Sequence, residues 1–357
     1  MPSATERRSR RVLVRIGRNW ALLALFLMLL IFSLAGKDFL SLANYSNILL
    51  ASVTLFFLAA GETFVVVSGG IDLSIGFVMG LVCVTSAIVM RDLTAAGAGA
   101  LASISAGVIV GLILSLIPGA INGLLITRFR VPPFIATLGM WGIANGLAWL
   151  LSDGLPIAFL PSAVRKIGTA FIAYHSPKTG LTLSPPQLAT REDILGLARI
   201  IPIPVLVVTI VLVVLAFVLA KTRFGRHTYA IGGKMDAAVR AGIDVNRHLL
   251  KVYILSSFCA GCAGVMLVFL LNTGILTQFT SNYELLSIAA VVIGGASLTG
   301  GRGSILGTVI GVLLIGTLNN GLMMLGLQIF YRFIAIGIIL IGAVLIDRSF
   351  PELLYAD

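Results

Sequence analysis

Charge is what this sequence has least of. Asp, Glu, Lys and Arg make up 11% of its 357 residues, 58% are hydrophobic, and the mean hydropathy is +1.07. A soluble domain carries roughly 25% charged residues, so water is excluded as the main solvent of this chain and lipid takes its place. Acids are scarcest, 14 against 25 basic residues. A net charge of +11 spread over a soluble surface would point to nucleic acid. Here the basic residues are bunched: six Arg from Arg7 to Arg18, Arg128 and Arg130 around Phe129, and seven Lys or Arg within 221–251. That is the pattern of the positive-inside rule, and it argues against nucleic acid as a partner.

Histidine and cysteine are also sparse, three of each. His175, His227 and His248 fall in predicted loops far apart in sequence, so no metal constellation is visible. Cys259 and Cys262 form a CxxC, but the run CAGCAG lies in an apolar predicted span among small residues suited to close helix packing. A phosphate-binding G-x-x-x-x-G-K-[ST] is absent; Gly233-Lys234 is followed by Met235 and lacks the upstream glycine. The chain is therefore not expected to hydrolyse ATP itself, and no nucleophile–base pairing argues for an intramembrane enzyme. Neither metal nor cofactor is expected in this chain. Uphill movement of a solute would need an ion gradient or another subunit.

What the sequence does have is apolar runs of bilayer length, each crossing needing about 20 residues. They lie at 20–35, 48–68, 75–91, 98–126, 134–151, 201–220, 252–272, 284–298, 304–326 and 330–346, which predicts an all-α polytopic membrane protein of about ten transmembrane helices. The basic stretch 1–19 before the first run resembles a signal peptide. Because more spans follow at once, a retained first span with a cytoplasmic tail is the better reading. An even count returns the tail 347–357 to the cytoplasm. Threading from there puts Arg128, Arg130 and the 221–251 loop inside and the polar 152–200 segment outside. That outer segment holds five basic residues in 49, sparser than the inner loop, as the orientation requires. Its stretch 174–190, rich in Pro, Ser and Thr, reads as a surface loop.

The spans are interrupted by glycine. Gly69-Gly70 ends one helix, and Asp72 or Ser74 is placed to cap the next. A similar break is expected at 294–304. VVVSGGIDL (65–73) resembles VVIGGASL (291–298), and GAINGL (119–124) resembles GTLNNGL (316–322), a weak repeat of two halves such as transporters build around a central pathway. Within these spans Glu62, Asp72, Ser74, Asn122, Asn145, Gln278, Asn319 and Asn320 are the candidate partners of a hydroxylated solute. A carboxylate at membrane depth costs a few kcal/mol and should face protein or water. For Asp72 the alternative is to satisfy backbone N–H groups at the break, and for each Asn or Gln it is to bridge helices. Glu284 is expected near the outer interface.

The most distinctive stretch is the basic loop 221–251 itself. Within it DAAVRAG (236–242) reads as a very short helix: Asp236 caps its start, the alanines favour helix, and Gly242 supplies a left-handed end. So short a helix is marginal in water and needs a surface to lie against. A peg that docks into a cytoplasmic partner is the expectation.

The chain resembles the integral-membrane permease subunits of ribose- and xylose-type (simple-sugar) ABC importers over nearly its whole length after the first span. The resemblance rests on GETFVVVSGGIDLS (61–74), TRFGRHTYAIGG (222–233), DAAVRAG (236–242), AAVVIGGASLTGGRGSILG (289–307) and LNNG (318–321). It implies a bacterial inner-membrane location and a pathway formed with a second permease chain as a homodimer. It also implies a cytoplasmic ATPase subunit that binds ATP and Mg, and a periplasmic sugar-binding protein that delivers the solute. The family's Ala-Ala-…-Gly signature falls on Ala237, Ala238 and Gly242. With Arg223, Gly225, Arg226, Asp236 and Arg240 these are the expected ATPase-coupling residues; an Asp stands where the family often has Glu. The outer segment 152–200 looks longer than the family's, which leaves a nucleoside or another polar solute open. An ion-coupled secondary transporter using Asp72, Glu62 or Glu284 and a non-transporting scaffold are the rival classes, and neither gives the peg a purpose.

Overall fold

The computed structural model describes residues 20–176, 180–183, 197–276 and 282–349. The tails, Gln278 and part of 174–190 lie outside them. The helices are α1 (Trp20–Ala35), α2 (Leu42–Val67), α3 (Ile75–Ala95), α4 (Ala100–Thr127), α5 (Pro133–Ser152) and α6 (Ser162–Gly168). After the short strands β1 (Tyr174–Ser176), β2 (Gly180–Thr182) and β3 (Ala198–Arg199) come α7 (Ile203–Lys221), α8 (Arg223–Gly233) and α9 (Met235–Arg240). The chain continues as α10 (Val245–Leu271), α11 (Tyr283–Ile293), α12 (Ile305–Met324) and α13 (Ile329–Ser349).

Every expected apolar run holds a helix, but they are not ten equal crossings. Among the described residues α2, α3, α4, α5, α7, α10 and α12 are long and apolar enough to span, seven in all, while α1 and α11 are apolar but short. The run expected at 284–298 is an 11-residue helix that stops at Ile293. Its end is a Schellman motif: Gly295 N–H bonds to Val292 O and Ala296 N–H to Val291 O, with Gly295 at φ +92°. α2 ends the same way, Gly69 N–H on Val66 O and Gly70 N–H on Val65 O, with Gly69 at φ +84°. The resemblance of 65–70 to 291–296 is therefore a shared helix ending. The second resemblance, 119–124 to 316–322, pairs α4 with α12, which run in opposite directions through the bundle.

Two ends of the bundle are distinguished by contacts. At one, Ser46 near the start of α2 donates to Arg199 O and Ile200 O at 2.7 and 3.0 Å, and Ile157 pairs with Gly274 beyond α10. At the other, Gly301 N–H donates to Val67 O at 2.8 Å, where α2 ends. The segments 152–200 and 221–251 thus lie at opposite ends, called here the loop end and the basic end. Part of the segment read as a loop is ordered as a three-stranded antiparallel sheet, β2-β1-β3.

α10 is the central post, packed on α2, α3 and α4. Small residues bring the backbones together: a Cβ on Gly61 of α2 would stand 2.9 Å from Cys259 Cβ and 3.0 Å from Ser256 Cα. Cys259 is buried there as a packing residue. Pro118 interrupts the hydrogen-bond ladder of α4, and Ser257 of α10 donates to Ser115 O at 2.5 Å beside the interruption.

Candidate functional site

The eight polar residues expected along a pathway separate into two groups. Glu62, Asp72, Ser74 and Asn122 are each no more than 1% exposed and form one knot where α2, the 68–74 break, α4 and α10 meet. The Schellman end of α2 turns the chain back on itself, so Asp72 N–H donates to Glu62 Oε1 at 3.1 Å. Asp72 Oδ1 accepts from Ser74 N–H at 3.0 Å and from Ser74 Oγ at 2.6 Å; its Oδ2 accepts from Ser256 Oγ at 3.1 Å. Asn122 Nδ2 donates to Ser74 Oγ at 3.0 Å. Asp72 thus accepts from a backbone N–H at the helix break, that of Ser74, and ties the break to α10 through Ser256. Ser256, which sequence reading passed over, belongs to the knot, and its spacing inside a uniform apolar run gave no signal.

Asn319 and Asn320 of α12 belong elsewhere. With Asn44 and Asn47 of α2 they line a cavity of about 680 Å³ toward the loop end, floored by Tyr283 and Leu286 of α11. Asn320 is 9% exposed and its Oδ1 has no partner. α11 begins at this floor and ends near the basic end; at 1.5 Å per residue its 11 residues place the floor about 16 Å from that end. Glu284 is buried against Gly76 at the start of α3, with Trp141 donating to it, rather than at the outer interface. Asn145 is half-buried on α5 and lines neither group. Asn44 and Asn47 stand at the start of α2, in a segment that hydropathy alone leaves outside the span.

The peg at the basic end is shorter than expected and differently capped. α9 runs Met235–Arg240; Lys234 is its N-cap without a side-chain bond, and Asp236 stands in the first turn. Asp236 is therefore not the cap, because the break at Gly233-Lys234 starts the helix earlier. Gly242 does supply the left-handed end at φ +79°, completing another Schellman motif with Gly242 N–H on Val239 O and Ile243 N–H on Ala238 O. Ala238 is 3% exposed, packed with Ile231, Val245 and Ile243, whereas Asp236, Ala237, Val239 and Arg240 are exposed.

Sequence reading missed that Arg223, Gly225 and Arg226 open a helix. Thr222 is the N-cap of α8, accepting from Gly225 N–H at 3.4 Å. The apolar positions Phe224, Thr228 and Ile231 at three- and four-residue spacing were the available signal. α8 is fastened on three sides. A Cβ on Gly225 would collide with Leu219 O, and one on Gly232 with Val67 O. Thr228 Oγ1 and His248 Nε2 bond at 2.9 Å, and Tyr229 OH donates to Gly303 O at 2.7 Å. Burial pushes the Tyr229 hydroxyl above its ordinary value of 10.0, so it remains a donor. Arg223 and Arg226 point their exposed side chains away from this seat.

A multi-pass helical protein with a polar cavity and a braced helical stub at its basic end is a membrane permease in architecture. The chain belongs to the family described as branched-chain amino acid transport system / permease component, whose model matches residues 44–346. It is 40% identical to the ribose import permease protein RbsC of Bacillus subtilis over 327 residues, 92% of this chain and 91% of the relative. It is 35% identical to the D-allose transport system permease protein AlsC of Escherichia coli, covering 88% and 86%. The xylose transport system permease protein XylH of Haemophilus influenzae is 33% identical, covering 92% and 95%. No solved structure matches.

Proposed function

We propose that this chain is the permease subunit of an ATP-driven importer of a monosaccharide of the ribose, allose or xylose type. Relatives named for those sugars cover almost the whole chain, which supports the substrate class. One observation carries the mechanism: the exposed peg α9 hangs from α8, and α8 is clamped at Gly232 to the end of α2 and through Tyr229 to Gly303, just before α12. α2 and α12 are the helices that present Asn44, Asn47, Asn319 and Asn320 to the cavity. A push on the peg is thus passed to the walls of the solute path without crossing a flexible joint.

In this reading the motor is a separate cytoplasmic ATPase subunit that holds ATP and Mg, and a periplasmic sugar-binding protein delivers solute at the loop end. A second copy of the chain completes the pathway in this reading. The basic end faces the cytoplasm of a bacterial cell, with both termini there and the protein in the inner membrane. The cavity's amides, with Asp38 as the one carboxylate in its lining, offer hydrogen bonds to sugar hydroxyls. Glu62, Asp72, Ser74 and Asn122 act as the clasp that keeps α2, α3, α4 and α10 moving together.

The test is uptake of radiolabelled ribose, allose and xylose into proteoliposomes holding this chain with its ATPase and binding protein. Asn319→Leu and Asn320→Leu are expected to lower the uptake rate several-fold while ATP hydrolysis continues, because a lost hydrogen bond is worth about 1 kcal/mol. Unchanged uptake in both variants would remove the cavity from the path.

A further inference from the structure

A second polar cavity, of about 600 Å³, opens at the basic end and takes no part in the scheme above. It is bounded by the elbow between α4 and α5, the Gly69-Gly70 turn, the start of α10 and Met235 of the peg. Three observations mark it. Arg128 and Arg130 both line it and are exposed, and among the described residues neither side chain has a hydrogen bond or ion pair. At its depth stands Tyr253, 1% exposed, whose hydroxyl has no partner. The same elbow exposes apolar side chains, with Phe129 at 69%, Phe134 at 54% and Ile135 at 58%.

Two exposed guanidinium groups lining one cavity offer paired donors to an oxyanion, and the buried unpartnered hydroxyl of Tyr253 leaves room for a further polar partner. The apolar skirt outside the arginines calls for hydrocarbon. One molecule in a membrane has all three. We propose that this cavity is a seat for the headgroup of an anionic phospholipid, its phosphate between Arg128 and Arg130, its polar head toward Tyr253 and its acyl chains over Phe129, Phe134 and Ile135. Basic pockets between helices at the cytoplasmic face are suited to such headgroups. A sugar on its way through would find the wrong chemistry, fixed positive charge and no connection to the Asn-lined walls. An acidic segment of a protein partner would leave the apolar skirt uncovered. Because Met235 opens the peg and lines the cavity, the bound headgroup touches the start of α9.

The experiment is native mass spectrometry of the full chain, purified in detergent and titrated with phosphatidylglycerol or phosphatidylcholine. Near a surface each Arg contributes about 1 kcal/mol toward an anionic lipid, about fivefold. Phosphatidylglycerol is therefore expected to be retained roughly twentyfold better than phosphatidylcholine. R128Q/R130Q should abolish that preference, R128K/R130K should keep most of it, and R165Q/K166Q at the loop end should leave it intact. Tyr253→Phe should weaken retention without changing the preference for negative charge. Equal retention of the two lipids, or a preference that survives R128Q/R130Q, overturns the proposal. So does displacement of the lipid by millimolar inorganic phosphate, which would make the site one for the free anion. Loss of ATPase-subunit affinity in R128Q/R130Q with lipid retention unchanged would make it a protein contact instead. The readout is lipid, so it fails or succeeds independently of the transport reading.

Discussion

Single side chains divide sharply into those buried in the knot and those that line the cavity. Asp72 accepts three hydrogen bonds while fully buried, so Asp72→Ala strands Ser74 and Ser256 and is expected to destabilise the protein by about 3 kcal/mol. Asp72→Asn keeps an oxygen in place and should cost less than half as much. Glu62→Gln should be close to neutral, since an amide oxygen accepts from Asp72 N–H as well as a carboxylate does. Thermal unfolding in detergent ranks the three, and a ranking with Glu62→Gln worst would contradict the clasp. Tyr229 offers a cleaner probe, because its hydroxyl is a single strut from α8 to Gly303. Tyr229→Phe should cost only about 1 kcal/mol of stability yet loosen ATP hydrolysis from uptake. The strut does not depend on protonation below about pH 10, since a hydroxyl whose value is raised by burial gives up its proton only above that. Coupling should therefore be flat across neutral and mildly alkaline pH.

Among the elements, the stub α9 and its bearer α8 matter most. The two alanines of the stub have different jobs: Ala237 faces outward and Ala238 inward. Ala237→Glu and Val239→Glu should leave the protein folded and abolish ATPase stimulation, measured as hydrolysis in the assembled complex. Ala238→Glu should instead dislodge α9 from Ile231 and Val245 and lower the unfolding temperature. Equal folding behaviour of Ala237→Glu and Ala238→Glu would show that the stub is not seated this way. Much of this element was legible in the sequence, because DAAVRAG between apolar runs has few other readings and Gly242 ends it as expected. Its first residue was not. Asp236 is a good cap by composition, but Lys234 takes the position because α8 is held back to Gly233 by the packing of Gly232 on Val67, a contact between distant parts of the chain. The break expected at 294–304 is where α11 stops, but the apolar run was drawn on to 298 because hydropathy continues past Ile293, while Gly294, Gly295 and a Schellman turn end the helix there.

At the scale of the molecule, composition and charge placement already required a polytopic helical protein with its basic loop opposite its long polar segment, and the contacts at the two ends agree. What composition cannot carry is depth. Asn122 and Asn319 look alike along the chain, yet one is locked in a buried knot and the other lines a cavity, because α4 is wrapped by α10 while α12 leaves one flank open. On the proposed reading a separate ATPase works the bundle from its basic end through α9 and α8. The most direct measurement is ribose accumulation in proteoliposomes that hold this chain and the binding protein, with and without the ATPase subunit. Uptake should appear only with the ATPase and hydrolysable ATP, and should vanish in Ala237→Glu. Accumulation driven by a proton or sodium gradient with no ATPase present would contradict the account.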